Sequence, residues 1–314
     1  MNPKIYLAPM SGVTDLAFRL ISRESGAAHC FFEMLDAKAT LYGHPGNKRL
    51  LKTLPKDLPI AAQLVGADPS VMLEAAEKLL AFVNISLLDI NSACPAKKVI
   101  KKGAGAALLK DTPRLGKMVK SLADKLRIPV TVKLRTGFNR RDVAACARTA
   151  AICEANGAGS LFVHGRTMSQ GYSGDVDYES VRAAKEAVKI PVFGSGNIFD
   201  PQMAKKMLDE TGCDGITVAR GALGNPWIFK NIENYLKSGA PSETPGLSAK
   251  KSMLKKHLSY IEKYKDISSD DKLGFMGKVA MWYLKGLYNA SRIRAEICRV
   301  RSYRELIRLI DRQK

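Results

Sequence analysis

The sequence of 314 residues lacks several patterns that mark common protein classes. Its six cysteines include no Cys-x-x-Cys pair, which argues against a zinc site and a disulfide framework. The longest apolar stretch, 79–90, contains Asn84, Ser86 and Asp89 and is too short to span a bilayer. No signal-like segment precedes the first predicted strand. We therefore expect a cytoplasmic protein without a membrane segment or a bound metal.

Acidic residues are also scarce. The chain has 30 Asp and Glu against 50 Lys and Arg, which gives a net charge of +20. Residues 241–314 hold 17 of the basic and 8 of the acidic residues, so the last quarter carries nearly half of the excess. Such a charge favours an extended anionic partner, either a nucleic acid or an acidic membrane face. A lysine-rich solvated surface without a specific partner is the alternative.

Short apolar runs rich in β-branched residues alternate with amphipathic stretches along most of the chain. This alternation is typical of a parallel sheet covered by helices. Eight strands in succession fit a closed (β/α)8 TIM barrel, an α/β fold, better than an open sheet. The predicted strands are 5–10, 30–34, 60–66, 87–93, 130–135, 160–165, 192–198 and 215–220, with helices at 69–81, 112–126, 141–156, 178–188 and 201–211.

We expect the barrel to be followed by a small C-terminal all-helical domain. Residues 1–237 would form the catalytic barrel, and the segment 238–248, rich in Pro, Gly and Ser, would be a linker. Residues 249–314 would form a basic domain with helices at 249–264, 272–288 and 302–312.

Most predicted strands are apolar inside and finish on a polar or otherwise distinctive residue. In a TIM barrel these ends meet on the C-terminal face, where barrel enzymes place their active sites. The end residues are Pro9, Met10, Glu33, Gln63, Asn91, Lys133, Arg135, His164, Asn197 and Arg220.

The loops after strands seven and eight suit a phosphate group, which barrel enzymes often bind there. The small residues around Ser195, Gly196 and Ala219 let the backbone approach a phosphate, and Arg220 can supply a bidentate charged contact. A helix starting after Pro226 would add its positive end. Tight turns alone are the alternative explanation for these glycines.

Gln63, Lys133 and His164 end strands three, five and six. Their carboxamide, ammonium and imidazole groups together suit a planar ring with imide donors and acceptors, such as a flavin. Taken singly, a strand-end His is more often structural and a Lys more often solvated. No Gly-x-Gly-x-x-Gly follows a predicted strand, so a nicotinamide nucleotide would visit the flavin only transiently.

The segment after strand four joins a thiol to a basic loop. Asn91 and Cys94 follow the buried run, and lysines at positions 97, 98, 101 and 102 come next. An ordinary thiol is mostly neutral at pH 7 and can protonate a carbon atom. Neighbouring lysines favour the thiolate, which is a nucleophile. The residues alone leave both roles open for Cys94.

Together these motifs resemble those of the bacterial flavin-dependent tRNA-dihydrouridine synthases, from Ala8 to about Arg294. The shared motifs are Ala8-Pro-Met-Ser-Gly-Val-Thr-Asp15 with Phe18-Arg19, Gln63-Leu-Val-Gly66, Asp89-Ile-Asn91 with Cys94-Pro-Ala-Lys-Lys-Val99, Val132-Lys-Leu-Arg-Thr-Gly137, His164-Gly-Arg-Thr167 with Tyr172 and Gly174, and Arg220-Gly-Ala with Gly224-Asn-Pro-Trp-Ile-Phe229.

The resemblance implies an oxidoreductase that reduces the C5=C6 bond of uridine in tRNA, in the D-loop, with FMN and NADPH. Hydride would go to C6 of the uracil ring, and Cys94 would protonate C5. Asn91, Arg135 and Arg166 are the candidates for recognising the uracil edge. FMN would be bound by Ala8, Pro9, Met10, Gln63, Lys133, His164, Ser195, Gly196, Asn197, Ala219 and Arg220.

Three positions depart from the family pattern. Ala93 replaces the usual Gly before the cysteine, Ser195-Gly-Asn197 replaces the frequent Asn-Gly-Asp, and Gly277-Lys278-Val279 replaces the usual Arg-Lys-His of the helical domain. Two other functions stay open. One is an FMN barrel that reduces a free pyrimidine or an enoate, and the other is a tRNA-binding protein without catalysis on the same scaffold.

Overall fold

The computed structural model of the protein describes residues 3–240 and 244–313. The strands in this part of the chain are β1 (Lys4–Leu7), β2 (Cys30–Phe31), β3 (Leu35–Asp36), β4 (Ile60–Val65), β5 (Leu88–Ser92), β6 (Val130–Arg135), β7 (Ser160–His164), β8 (Val192–Ser195) and β9 (Gly215–Val218). All pair in parallel, in the order β1-β9-β8-β7-β6-β5-β4-β2, and β3 also pairs with β4. A bridge between Tyr6 and His29 closes the ring. The predicted TIM barrel is confirmed.

Aspartate caps start seven of the helices that surround the barrel in the described residues. A side-chain oxygen of each aspartate accepts a hydrogen bond from a backbone N–H in the first turn, which satisfies a donor that the helix itself leaves unpaired. The caps are Asp15, Asp36, Asp68, Asp111, Asp142, Asp177 and Asp200. The surrounding helices are α1 (Leu16–Glu24), α2 (Ala37–Leu41), α3 (Pro45–Leu50), α4 (Pro69–Phe82), α5 (Lys97–Ile100), α6 (Thr112–Lys125), α7 (Val143–Ala155), α8 (Tyr178–Glu186), α9 (Pro201–Thr211) and α10 (Ile228–Ser238).

The interior of the barrel changes from apolar to polar along the strands. Alternate residues of a strand point to opposite faces, so one set packs on the helices and the other fills the barrel. Near the N-terminal ends of the strands, the Phe193 ring stacks on Tyr6 at 4.7 Å and on Phe162 at 4.9 Å between centroids. This aromatic cluster also contains Phe31. It closes the floor of the barrel, and polar side chains follow towards the C-terminal ends.

Two predicted elements are shorter in the structure than expected. Of the strand predicted at 30–34, only β2 is formed, although Phe32 still donates from its backbone N–H to Ala61 O at 2.9 Å, and β3 begins just after the predicted range. Of the helix predicted at 272–288, α12 (Ser269–Tyr283) is formed and ends early, and α13 (Ala290–Ile297), which was not predicted, follows it. Asn289, with φ 60°, precedes α13, and its left-handed backbone belongs to neither helix.

The C-terminal helices build a second hydrophobic cluster. It contains residues of α11 (Leu247–Tyr264), α12, α13 and α14 (Tyr303–Arg312), together with Ala17 of α1. Of the predicted linker 238–248, residues 241–243 lie outside the described residues. Within the described ranges, no helix has the length and apolarity needed to cross a membrane.

The barrel and the C-terminal helices are in direct contact. Lys278 Nζ of α12 donates to Gly12 O at 2.9 Å, and Lys265 Nζ lies 2.7 Å from Asp15 Oδ2. Gly224, which follows β9, has φ 67°, and a Cβ added there would lie 2.3 Å from Trp282 O. Only glycine fits this close approach between the two parts.

Candidate active site

A cavity of about 400 Å³ opens at the C-terminal ends of the strands, a volume typical of small-molecule and cofactor sites. Lys133, Arg135 and Arg220 line it, and none of its described lining residues is acidic. This charge favours an anionic ligand. The predicted residues found on its wall are Ala8, Pro9, Met10, Gln63, Asn91, Cys94, Lys133, Arg135, His164, Ser195, Gly196, Asn197, Ala219 and Arg220.

Asn91 shapes the loop that carries Cys94. Its Oδ1 accepts hydrogen bonds from the backbone N–H groups of Ala93 at 3.0 Å and Cys94 at 2.8 Å. Its Nδ2 donates to Gln63 Oε1 at 2.7 Å. Both ends of the Asn91 amide are thus engaged within the protein. The amide holds the Cys94 backbone, and the Cys94 side chain lies half-buried on the cavity wall.

Gln63 extends these contacts into the barrel interior. Its Nε2 donates to Asp89 Oδ2 at 2.7 Å, and Thr131 Oγ1 donates to Asp89 Oδ1 at 2.7 Å. Burial raises the pKa of the Asp89 carboxyl to about 6, while the hydrogen bonds from Gln63 and Thr131 and the charge of Lys133 oppose the rise. Both carboxyl oxygens accept a hydrogen bond, and these donors favour the ionised carboxylate.

Lys133 lies in register with Asn91, on the neighbouring strand β6. Burial and the nearby Arg135 lower the pKa of Lys133 to about 8, and the charge of Asp89 acts in the opposite direction. Lys133 Nζ makes no hydrogen bond or ion pair with another residue of the described part of the chain. It is a cation at neutral pH whose donors are free for a ligand.

His164 ends β7 on the same wall. Burial is the main cause that holds the pKa of its imidazole well below its usual value, and the charges of Lys133, Arg135, Arg166 and Arg220 add to the effect. The ring is therefore neutral at physiological pH. It can present one hydrogen-bond donor and one acceptor to a bound ring.

Arg220 lies between two aromatic side chains at the rim of the cavity. Its guanidinium carbon is 4.8 Å from the centre of the Tyr172 ring and 5.5 Å from that of Phe199. Both rings are exposed, at 59% and 41% of their surface. Cation–π contact holds the guanidinium without neutralising it. Among the described residues no carboxylate pairs with Arg220, so its charge can meet an anionic group.

The structure places the two other predicted arginines on backbone carbonyl groups. Arg135 donates to Ala93 O at 2.7 Å, Thr167 O at 2.8 Å and Gly171 O at 2.9 Å. Arg166 donates to the carbonyls of residues 173 and 174 and does not line the cavity. Both side chains hold the loop 167–174, which carries Tyr172, and Arg135 joins this loop to that of Cys94.

Comparison with known proteins identifies the family. The sequence model of the dihydrouridine synthase (Dus) family matches residues 6–313. A tRNA-dihydrouridine synthase B of Pseudomonas aeruginosa is 35% identical over 297 residues, which cover 95% of this chain and 88% of that protein. A probable tRNA-dihydrouridine synthase of Rickettsia conorii is 36% identical over 300 residues, covering 95% and 89%. The chain belongs to the dihydrouridine synthase family. The predicted family and the predicted class of enzyme, an oxidoreductase, are confirmed.

Solved structures show the same barrel at low sequence identity. Histamine dehydrogenase from Rhizobium sp. 4-9 has a TM-score of 0.56 at 14% identity, over 74% of this chain and 45% of that one. The old yellow enzyme from Trypanosoma cruzi has a TM-score of 0.55 at 11% identity, over 79% and 91%. At such low identity these matches show a shared barrel fold alone.

The departures from the family pattern are accommodated by the backbone. Ala93 is not among the described residues with positive φ, so it carries no left-handed strain in place of the usual Gly. Asn197 has φ 48°, and asparagine tolerates this region better than most residues. Gly277 packs close to Ile297 and Val279 is buried. That stretch of the dihydrouridine synthase therefore faces the helical core, apart from Lys278.

Several residues of the site were not predicted. Asp89 and Thr131 lie on the interior face of their strands, two positions before Asn91 and Lys133, so a period-2 count along each strand would have found them. Phe199 gives no such signal because it follows the strand in a loop. Thr217, whose Oγ1 is buried without a partner among the described residues, also lines the cavity.

Proposed function

We propose that the protein is a tRNA-dihydrouridine synthase, which reduces the C5=C6 bond of uridine in the D-loop of tRNA with FMN as cofactor and NADPH as reductant. Membership of the dihydrouridine synthase family supports the reaction, and the names of the relatives support tRNA as the substrate. The observation that carries the proposal is the half-buried thiol of Cys94 on the wall of a cation-lined cavity, whose described lining residues include no acidic side chain.

The residues of the cavity fit FMN. Lys133 Nζ, without a partner in the described residues, and the neutral His164 ring supply donors and an acceptor for the imide edge of a flavin. Arg220 and the backbone of Ser195, Gly196 and Ala219 supply the kind of contacts that a phosphate requires. The buried Thr217 Oγ1 adds another polar group without a partner in this part of the chain.

FMN would supply the hydride chemistry, accepting a hydride from NADPH and delivering it to C6 of the uracil. Cys94 Sγ–H would donate its proton to C5, and the thiolate would be reprotonated from solvent. The reaction consumes one NADPH and one proton for each dihydrouridine formed, so electrons and atoms balance. Asn91 and Arg135 would hold the Cys94 loop and present the polar wall to the base.

A uracil in a folded tRNA must leave its stack to reach the cavity. The exposed lysines at 97, 98, 101 and 102, directly after Cys94, would contact the phosphate backbone beside the extruded nucleotide. We assign 1–237 as the catalytic barrel, 238–248 as the linker and 249–314 as a basic RNA-binding domain. Binding through phosphates makes the affinity fall steeply with salt. Location in the cytoplasm, where tRNA is found, stays a prediction.

The test combines cofactor identification with a reaction. The purified protein is denatured, the released cofactor is identified by mass spectrometry, and the protein is then incubated with NADPH and an unmodified tRNA transcript. We expect FMN in the supernatant and dihydrouridine at D-loop positions. A protein that holds FMN and reduces free pyrimidines or enoates, with no product in tRNA, would instead be a small-molecule reductase. A protein that binds tRNA but cannot be loaded with FMN would be a binding protein.

A further inference from the structure

The fully buried carboxylate of Asp89 is not part of the cavity wall. Hydrogen bonds nevertheless lead from it through two side chains to the backbone of Cys94. An ionised carboxylate in a barrel interior is unfavourable unless its partners compensate for lost hydration. The contacts of Asp89 therefore call for an explanation that packing alone does not supply.

We propose that Asp89 is a positioning residue that fixes the orientation of the Gln63 and Asn91 amides and, through them, the position of Cys94. The proposal deepens the proposed function and rests on it for the role of Cys94 as proton donor. Asp89 itself touches neither the substrate nor the cofactor.

The order of donors and acceptors is set at the Asp89 end. An ionised carboxylate can only accept hydrogen bonds, and Thr131 already donates to Oδ1 at 2.7 Å. The group of Gln63 that lies 2.7 Å from Oδ2 must then be the amide nitrogen, because an amide oxygen there would face another oxygen. Gln63 Oε1 is consequently turned towards Asn91.

The same order is set independently at the Cys94 end. Backbone N–H groups can only donate, and those of Ala93 and Cys94 both point at the Asn91 amide. The atom that they meet must be Oδ1, which leaves Nδ2 to face Gln63 at 2.7 Å. The two ends thus require the same orientation of both amides. If one amide turned over, two donors or two acceptors would face each other at the next contact.

Without Asp89, the Gln63 amide could turn over and face Asn91 Nδ2 with its own nitrogen, since a carboxamide offers both a donor and an acceptor at similar positions. Asp89 prevents this rotation, because its oxygen accepts a hydrogen bond only from the amide nitrogen of Gln63. This fixes the backbone at Cys94 and with it the position of the thiol. A reacting group displaced by about 1 Å reacts much more slowly. The charge of Asp89 also acts on Lys133 of the cavity wall.

The test measures hydrogen–deuterium exchange at the amides of residues 93 and 94 in the full-length protein as purified. In Asp89→Asn the carboxylate is replaced by an amide that no longer dictates the orientation of Gln63. We expect exchange at the two amides to rise roughly tenfold, the factor that the loss of one hydrogen bond supports. Cys94 alkylation by iodoacetamide, followed on its own peptide, should accelerate in parallel.

The decisive variant is the exchange of the two groups, Gln63→Glu with Asp89→Asn. A carboxylate at position 63 can accept from both neighbouring amides, so the orientation of Asn91 is fixed again with the same total charge. We expect slow exchange and slow alkylation to return in the double variant. If Asp89→Asn alone does not fold, recovery of folding in the double variant is the expected result.

Asp57→Asn is the matched control, because Asp57 is equally buried but pairs with Arg19 away from the cavity. It should lower stability without changing exchange at residues 93 and 94. Unchanged exchange in Asp89→Asn, an equal change in Asp57→Asn, or no recovery in the double variant would overturn the proposal. These measurements need neither NADPH nor tRNA, so a failed synthase assay would not affect them, and failure of the proposed function can be told apart from failure of this proposal.

Discussion

Replacement of Lys133 by Met should weaken cofactor binding in a way that depends on pH. Lys133 Nζ makes no hydrogen bond or ion pair with the described residues, so its donors are free for the proposed FMN. A hydrogen bond to a charged group contributes about 1.5–3 kcal/mol. This corresponds to a rise in the FMN dissociation constant of roughly 10- to 150-fold at pH 7.

The sign of the pH effect follows from the pKa of Lys133, which burial lowers to about 8 in the protein. The cation is present below that pH and is lost above it. If bound FMN requires the cation, the wild-type affinity is constant below the pKa and falls by up to about tenfold per pH unit above it. In Lys133→Arg the side chain stays charged at these pH values, so the affinity of this variant for FMN should not fall above about pH 8.

The assay is titration of the apoprotein with FMN, followed by flavin fluorescence between pH 6 and pH 10. Lys110→Met is the control, since Lys110 Nζ lies over the Phe138 ring at 3.9 Å and does not line the cavity. A Lys133→Met protein that binds FMN as tightly as the wild type, or a loss of equal size in Lys110→Met, would refute the assigned contact.

Three further predictions concern catalysis, packing and pH. Cys94→Ala should still let NADPH bleach the flavin while dihydrouridine formation largely disappears, as stopped-flow absorbance and product mass spectrometry would show. Gly224→Ala should lower stability by about 1–2 kcal/mol because of its left-handed backbone, and by more because the added Cβ would clash with Trp282 O. Gly239→Ala, with φ 69° but open space around it, should show only the backbone effect in thermal unfolding. Burial lowers the pKa of His257 to about 4, so below the ordinary histidine pKa only the unfolded chain takes up a proton there. Between pH 6 and pH 5 this should lower the stability of the wild type, relative to His257→Leu, by up to about 1.4 kcal/mol per pH unit, as denaturant titrations would measure.

The barrel could be predicted because its signals are local. Most strands lie in short apolar runs rich in β-branched residues, and caps such as Asp68 and Asp200 mark where the next helix begins. The early end of β2 could not be predicted, since Phe32 and Met34 alternate with Glu33 as apolar and polar residues do in a continuous strand. The end of α12 at Tyr283, before the predicted end at 288, and the left-handed backbone of Asn289 ahead of α13 were not predicted, because a sequence allows such a turn but does not require it.

The site was predicted to the extent that position along a strand decides it. Gln63, Lys133 and His164 point inward because of the strand period, and the structure brings them together. The partners of Arg135 and Arg166 could not be predicted in this way. A guanidinium at a strand end can face the cavity or a carbonyl group, and the choice depends on how a distant loop, 167–174, folds back.

The central claim is that this protein forms dihydrouridine in tRNA. The most direct test is mass-spectrometric mapping of dihydrouridine in total RNA from cells with and without the gene, and with the gene for Cys94→Ala restored. We expect defined D-loop uridines to carry a mass gain of about two hydrogens in the wild type, to lack it in the deletion and not to regain it with Cys94→Ala. An unchanged tRNA profile in the deletion would contradict the claim.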